Sequence, residues 1–309
     1  MAAHADFSGV IPPVVTPLTA DRELDRASLK RSIDRMIDRG VHGLFLLGSS
    51  SEVVFCTDSR RREIVETGIE AAAGRVPVLV GVIDAQTERM VEHARAAREL
   101  GADAVVATAP FYALGGPDEI EANFRAIREE VDLPLFAYDL PVCVHKKLDA
   151  DMLVGLGSEG VLAGVKDSSG DDVNFRFLVQ KNRAAGSPLK LFTGHEVVVD
   201  GAFLSGADGV VPGLGNVDPY GYVQQYKAYR EGDWDAVAQI QDRLALLMTI
   251  TSVTEGAVGF GAGVGAFKTA LQFLGVFETN QMPRPVRALE GGNVEAVRNV
   301  LVAAGMLAR

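Results

Sequence analysis

The sequence predicts a closed (β/α)8 barrel with a C-terminal helical extension, and three observations predict it. Short β-branched apolar runs alternate with amphipathic, Arg- and Glu-rich helical stretches as far as about residue 232. The alternation gives eight strand–helix units, and parallel strands joined by right-handed crossovers close most economically as a barrel, for which ~250 residues is an ordinary size. The strand runs are apolar almost without interruption, as expected of strands covered on both faces. An open, doubly wound sheet would want a glycine-rich phosphate turn after its first strand. The run Ile11-Pro12-Pro13-Val14-Val15-Thr16-Pro17 has none.

Taken in chain order, strands are expected over residues 11–18, 41–48, 76–83, 104–110, 134–141, 162–167, 190–194 and 209–213. Between the earlier ones lie helical patterns over 27–38, 59–73, 87–100 and 117–131. In the third of these, Val91, Ala94, Ala97 and Leu100, three apart, form one apolar stripe. Further helical patterns over 234–251, 266–275 and 294–304 follow the eighth unit. Residues 1–232 are therefore expected to form the barrel that carries the active site, and residues 233–309 a helical extension packed on it.

Composition narrows the function. The 309 residues are 48% hydrophobic and 23% charged, which suits a chain with a large core and not a disordered one. A net charge of −11, from 30 basic and 41 acidic residues, argues against a nucleic-acid binder. The two cysteines, Cys56 and Cys143, lack C-x-x-C spacing, so a reducing, cytoplasmic setting is expected. No apolar run reaches the roughly 18 residues of a membrane helix, and residues 1–7 lack the basic and apolar regions of a signal peptide.

Reactive groups of such barrels gather at the C-terminal ends of the strands. After the second strand comes Gly48-Ser49-Ser50-Ser51-Glu52. Small hydroxyl residues there leave backbone N–H groups free for a carboxylate or phosphate, although a serine-rich turn can equally cap the next helix. Lys166 ends the apolar sixth strand, where solvent is scarce. Burial disfavours an ammonium ion, so a neutral, nucleophilic amine is expected; a salt bridge to Asp167 or another carboxylate is the alternative. Four of the six tyrosines lie between residues 220 and 229, and the other two, Tyr112 and Tyr138, follow strand four and end strand five. Hydrogen-bonded phenols can relay protons to and from an imine or a hydroxyl. A lysine, two phenols and a hydroxyl-lined anion nest together suggest Schiff-base chemistry on a 2-oxo acid, with the protonated imine as electron sink. No metal or cofactor is expected: His4, His42, His93, His145 and His195 show no i, i+3 or i, i+4 pairing. His195 and Glu196, after strand seven, are on the reactive face, as substrate contacts or as supports behind them.

These pieces together resemble the dihydrodipicolinate synthase/N-acetylneuraminate lyase superfamily over essentially the whole chain. The resemblance rests on Pro12-Pro13-Val14-Val15-Thr16-Pro17, Gly48-Ser49-Ser50-Ser51-Glu52, Pro110-Phe111-Tyr112, Tyr138-Asp139-Leu140-Pro141, Gly164-Val165-Lys166-Asp167 and Gly206-Ala207-Asp208-Gly209, in order and on eight units. It implies a TIM barrel, a homotetramer built as a dimer of dimers, Lys166 as the imine-forming lysine and Tyr138 as the acid/base phenol. Ser49 and Ser50 match the hydroxyl pair that binds the pyruvyl carboxylate. Tyr112 matches a tyrosine that, in the synthases, reaches into the neighbouring subunit. Gly194, His195, Glu196 and Gly213 complete the expected substrate-binding set.

The departures bear on the substrate. Ser51 stands where the family usually has glycine, and Asp139 where asparagine is commoner. Cys143 occupies the place of the arginine that clamps a second carboxylate in the synthases, which a thiol cannot replace. Only one acid, Glu196, remains where the sialic-acid lyases carry two. The expected activity is therefore an aldolase that cleaves a 2-oxo acid of the 2-keto-3-deoxy sugar acid type to pyruvate and an aldehyde. A dehydratase of a related keto-deoxy acid, a 4-hydroxy-tetrahydrodipicolinate synthase and a catalytically silent binding relative are the alternatives.

Overall fold

A computed structural model describes residues 7–308; the stretch that includes His4 lies outside the described residues. Eight parallel strands form one sheet: β1 (Gly9–Val10), β2 (Leu44–Leu46), β3 (Val78–Gly81), β4 (Ala104–Ala107), β5 (Leu135–Asp139), β6 (Gly164–Asp167), β7 (Lys190–Thr193) and β8 (Gly209–Val210). Each strand from β2 to β7 pairs with its successor, and β1 pairs with β8 through Gly9↔Gly209 and Val10↔Val210. The last gap closes through a parallel bridge at Pro13↔Phe45. There the Val14 N–H donates to the Phe45 carbonyl at 2.8 Å and the Phe45 N–H to the Pro12 carbonyl at 3.0 Å.

That seam corrects the first expected strand. The regular ladder is Gly9–Val10, and most of 11–18 is irregular chain that touches β2 only at the bridge. Pro12, Pro13 and Pro17 have no N–H to give, so an apolar, β-branched run cannot continue as a ladder there. The other expected strands are found, shortened at their ends.

The helices outside the sheet are α1 (Arg26–Asp38), α2 (Asp58–Ala72), α3 (Thr87–Leu100), α4 (Pro117–Glu130), the short α5 (Pro141–Val144), α6 (Ala150–Ser158), α7 (Asp172–Ala184), α8 (Val199–Ser205) and α9 (Pro219–Glu231). Their starts are written in the sequence: Asp25 accepts from the Ser28 N–H, Thr57 from that of Arg60, and Asp171 from that of Asn174. In α3 the stripe faces inward, with Val91, Ala94 and Ala97 buried. Three more helices follow, α10 (Trp234–Met248), α11 (Gly263–Phe273) and α12 (Gly292–Ala303), close to the expected spans. Gln241 of α10 donates to the Glu196 carbonyl at 3.1 Å, tying that helix to the loop after β7. Among the described residues, no helix is long and apolar enough to cross a membrane.

Candidate active site

The pleat of β5 and β6 decides which side chains meet. Tyr138 and Lys166 are register partners, as are Asp139 and Asp167 one residue further on. Alternate residues of a strand point to opposite faces, so the phenol and the amine share one face and the two carboxylates the other. Lys166 is 6% exposed and Tyr138 3%. The Lys166 Nζ lies 3.9 Å from the centre of the Tyr138 ring and 5.2 Å from that of Phe45. No carboxylate is within ion-pair distance of Lys166 among the described residues.

Asp167 is engaged elsewhere. The Lys147 ammonium lies between the two carboxylates, paired to Asp139 and, at 3.2 Å, to Asp167. Asp139 also accepts from the Leu148 N–H and Asp167 from that of Ser169. Burial, reinforced by the neighbouring Asp167 charge, pushes the Asp139 carboxyl up to about 6 against the pull of Lys147. Burial works against the Lys147 ammonium, yet its two acidic partners hold its pKa above the ordinary value. Lys147 and Asp167 therefore belong to the support of the site, a link that the reading of the sequence missed. Two acids, each following a barrel-facing residue on adjacent strands, were the available signal.

The serine turn brings hydroxyls to the same place. Ser49 Oγ stands 3.4 Å from the Tyr138 hydroxyl. Ser51 is fully buried and faces away: its Oγ donates to the Val14 carbonyl, and Thr16 Oγ1 donates to the Ser51 carbonyl at 2.9 Å. A serine at this position thus stitches the turn to the proline-rich chain after β1. Glu52 closes the turn with φ +60 and forms a buried ion pair with Lys268 of α11 at 2.6 Å. Burial raises the Glu52 carboxyl and lowers the Lys268 ammonium, each opposed by the other's charge. Lys268 also donates to the Gln281 carbonyl, so it is committed to structure.

Around the ends of β7 and β8 the space is close-fitted. A Cβ on Gly194 would lie 3.2 Å from the Lys166 Cε and 2.0 Å from the Ser168 Oγ, so a larger residue there would displace the Ser168 hydroxyl and crowd the lysine side chain. A Cβ on Gly213 would come within 3.3 Å of the Ser50 Oγ and 3.4 Å of a Glu196 carboxylate oxygen, which places these three residues together. Glu196 Oε1 accepts from the Leu214 N–H at 2.6 Å. Part of Glu196 remains open, yet protein crowds it, and loss of hydration lifts its carboxyl to about 7 despite that bond and the nearby Lys166. His195 instead turns its Nδ1 to Asp172 at 3.1 Å, at a half-exposed position. Tyr112 is not brought to the amine within one chain: it is 96% exposed, with φ +71. Lys166, Tyr138, Ser49, Ser50, Gly194, Glu196 and Gly213 form one cluster; His195 is at its edge and Tyr112 outside it.

An eight-stranded barrel with a buried lysine on its sixth strand, against a phenol and without a carboxylate partner among the described residues, is the frame of a class I lyase. The chain belongs to the dihydrodipicolinate synthetase family, which it matches over residues 6–304. A DapA-like lyase of Halobacterium salinarum, itself uncharacterized, is 32% identical over 300 residues, covering 97% of this chain and 94% of the relative. An Escherichia coli K12 protein named "Probable 2-dehydro-3-deoxy-D-pentonate aldolase YjhH" is 29% identical, covering 97% of this chain and 98% of its own length. The crystal structure of YagE, a prophage protein of the same family from E. coli K12 in complex with pyruvate, superposes with a TM-score of 0.92. It is 26% identical and covers 97% of this chain and 99% of that one.

Proposed function

We propose that this protein cleaves a 4-hydroxy-2-oxo acid of the 2-keto-3-deoxy sugar acid type to pyruvate and an aldehyde, through an imine on Lys166. The Lys166 amine adds to the C2 carbonyl and water leaves, giving a protonated imine. The proton of the C4 hydroxyl is taken up through the Tyr138 phenol, the C3–C4 bond breaks, and its electrons pass into the imine to give an enamine and the free aldehyde. Protonation at C3 and hydrolysis return pyruvate and the amine. Ser49 and Ser50 with the turn's backbone hold the carboxylate. Gly194 and Gly213 leave room for the chain, and Glu196, with His195 at the edge, meets substrate hydroxyls. Tyr112 is assigned to the relay of a neighbouring subunit in a homotetramer, in a cytoplasmic setting.

The observation that carries this reading is Lys166, 6% exposed, with no carboxylate partner among the described residues and its Nζ 3.9 Å from the centre of the Tyr138 ring. The relatives support it: one is named a keto-deoxy acid aldolase and another is seen with pyruvate. Borohydride reduction in the presence of pyruvate is expected to leave a carboxyethyl group on the Lys166 peptide by mass spectrometry. An unmodified Lys166, or label at Lys268, overturns the assignment. Screening 2-keto-3-deoxy acids by NMR for released pyruvate then finds the substrate.

A further inference from the structure

The main chain at Tyr138 is paired on one side only. The ladder between β4 and β5 ends at Ala107↔Ala137, one residue before it, whereas the ladder between β5 and β6 runs on through Tyr138↔Lys166 to a last rung, Asp139↔Asp167. Just beyond that rung the Ser168 N–H donates to the Asp139 carbonyl at 2.9 Å. Both side chains of the rung are buried carboxylates, and they divide their oxygens alike. One oxygen accepts from a backbone N–H, that of Leu148 at 3.2 Å for Asp139 and that of Ser169 at 2.8 Å for Asp167; the other accepts from Lys147. Lys147 and Leu148 follow the short α5, so Asp139 also draws the chain that leaves β5 back against the strand.

We propose that Lys147 is a positioning residue for the imine chemistry: its ammonium draws Asp139 and Asp167 together and so sets the separation of Tyr138 and Lys166 on the opposite face of the same two strands. The inference rests on the Lys166 imine reading above and names a further group on which that site depends. Successive residues of a strand share one pleated backbone, so a spread between the two carboxylates is passed to the residues one position before them. Without Lys147 the rung would hold two buried like charges, whose repulsion opens the strand ends where β5 has least support. A reacting pair tolerates little of this, since a misplacement of about 1 Å costs on the order of 10²-fold in rate. An asparagine at 139 would carry no charge and still offer an oxygen to the Leu148 N–H, so the acid at 139 and the lysine at 147 act as a matched set. Among the described residues the titratable groups facing Lys147 are Asp139 on β5, Asp167 on β6 and, from the N-cap of α7, Asp171. With the cation gone, one proton shared by Asp139 and Asp167 would remove the repulsion in its place. The Asp139 carboxyl, lifted to about 6 even beside Lys147, titrates higher without it.

The test uses the intact protein with pyruvate as the probe and follows, by NMR, exchange of the methyl protons for deuterium. Exchange needs the imine, formed with loss of water, and a base placed at C3. The base takes a proton while the C–H electron pair passes into the imine, and deuteration at C3 and hydrolysis complete the cycle. Lys147→Met is expected to lower the maximal exchange rate about 10- to 100-fold at pH 8, with the KM for pyruvate within about threefold, because the turn that holds the carboxylate follows β2. At pH 6 the deficit relative to the unmodified protein should shrink about fivefold or more, as the shared proton replaces the ammonium. Lys147→Arg, and Lys147→Met combined with Asp139→Asn, should each restore the rate at pH 8 to within about threefold of the unmodified protein. Where circular dichroism shows Lys147→Met unfolded, Lys147→Gln takes its place with the same expectations. A folded variant with the full rate at pH 8 overturns the inference, and so does a deficit that is equal at the two pH values or that survives Asp139→Asn. Unmodified protein that neither exchanges nor is trapped by borohydride at Lys166 removes the imine reading and this inference with it. Trapping at Lys166 beside a Lys147 variant of full rate sinks the positioning role alone.

Discussion

Lys147 donates to two carboxylates at once, and those carboxylates are the outward-facing neighbours of Tyr138 and Lys166 on paired strands. Without the shared ammonium, Asp139 and Asp167 would stand side by side, buried and alike in charge. Lys147→Met is expected to cost about 3 kcal/mol, the low end for breaking a buried pair, because its side chain keeps 32% of its surface. Urea unfolding checks the loss, and adding Asp139→Asn should recover part of it by removing one charge. At the amine itself, Tyr138→Phe should slow turnover by roughly 10²–10⁴-fold with pyruvate trapping retained, read by steady-state kinetics beside borohydride labelling. That Lys166, Tyr138 and Ser49 would gather at one end of the barrel was legible because strand-end Lys, Tyr and Ser are conspicuous against apolar runs. Their support was not: adjacency of Lys166 and Asp167 in sequence suggests a pair, and the strand pleat forbids it.

Elements show the same division. Capped amphipathic helices such as α1 and α3 can be read from a few local residues, and their observed ends fall within a residue of expectation. The seam between β1 and β2 cannot, since composition there says strand and three prolines withhold the donors. Longer-range ties are also invisible locally. Glu52 at the end of the serine turn and Lys268 on α11 are far apart in the chain, yet they form a fully buried pair that joins a C-terminal helix to the loop carrying Ser49 and Ser50. One oxygen of Glu52 has no hydrogen-bond partner among the described residues, so the carboxylate depends heavily on that single cation. Lys268→Met is therefore expected to destabilise by about 3–5 kcal/mol, more than the same change at Lys147. Glu52→Gln combined with Lys268→Met should be less damaging than Lys268→Met alone. Denaturant midpoints of the single and double variants decide it.

Across the whole molecule, the site imposes an unusual pH dependence on stability. Most carboxylates that gain partners on folding titrate lower and stabilise the fold as pH rises. Glu196 does the reverse: burial lifts it from 4.5 to about 7, so the folded chain holds this proton more tightly than the unfolded one. Its contribution is fully present below about pH 4.5 and is lost as pH rises through 7. Asp139, lifted from 3.8 to about 6, acts in the same direction. A barrel that must keep a crowded, partly desolvated mouth for its chemistry therefore carries a stability cost there at neutral pH, offset by the core elsewhere. Glu196→Gln removes the titration while keeping an oxygen for the Leu214 N–H. Relative to the unmodified protein, this variant should gain about 2–3 kcal/mol between pH 5 and pH 8, less in proportion to the hydration Glu196 retains. Urea unfolding of both proteins at the two pH values measures it. A difference that stays flat with pH would mean that Glu196 titrates alike in the folded and unfolded chains, and that the mouth is as wet as bulk solvent at that carboxyl.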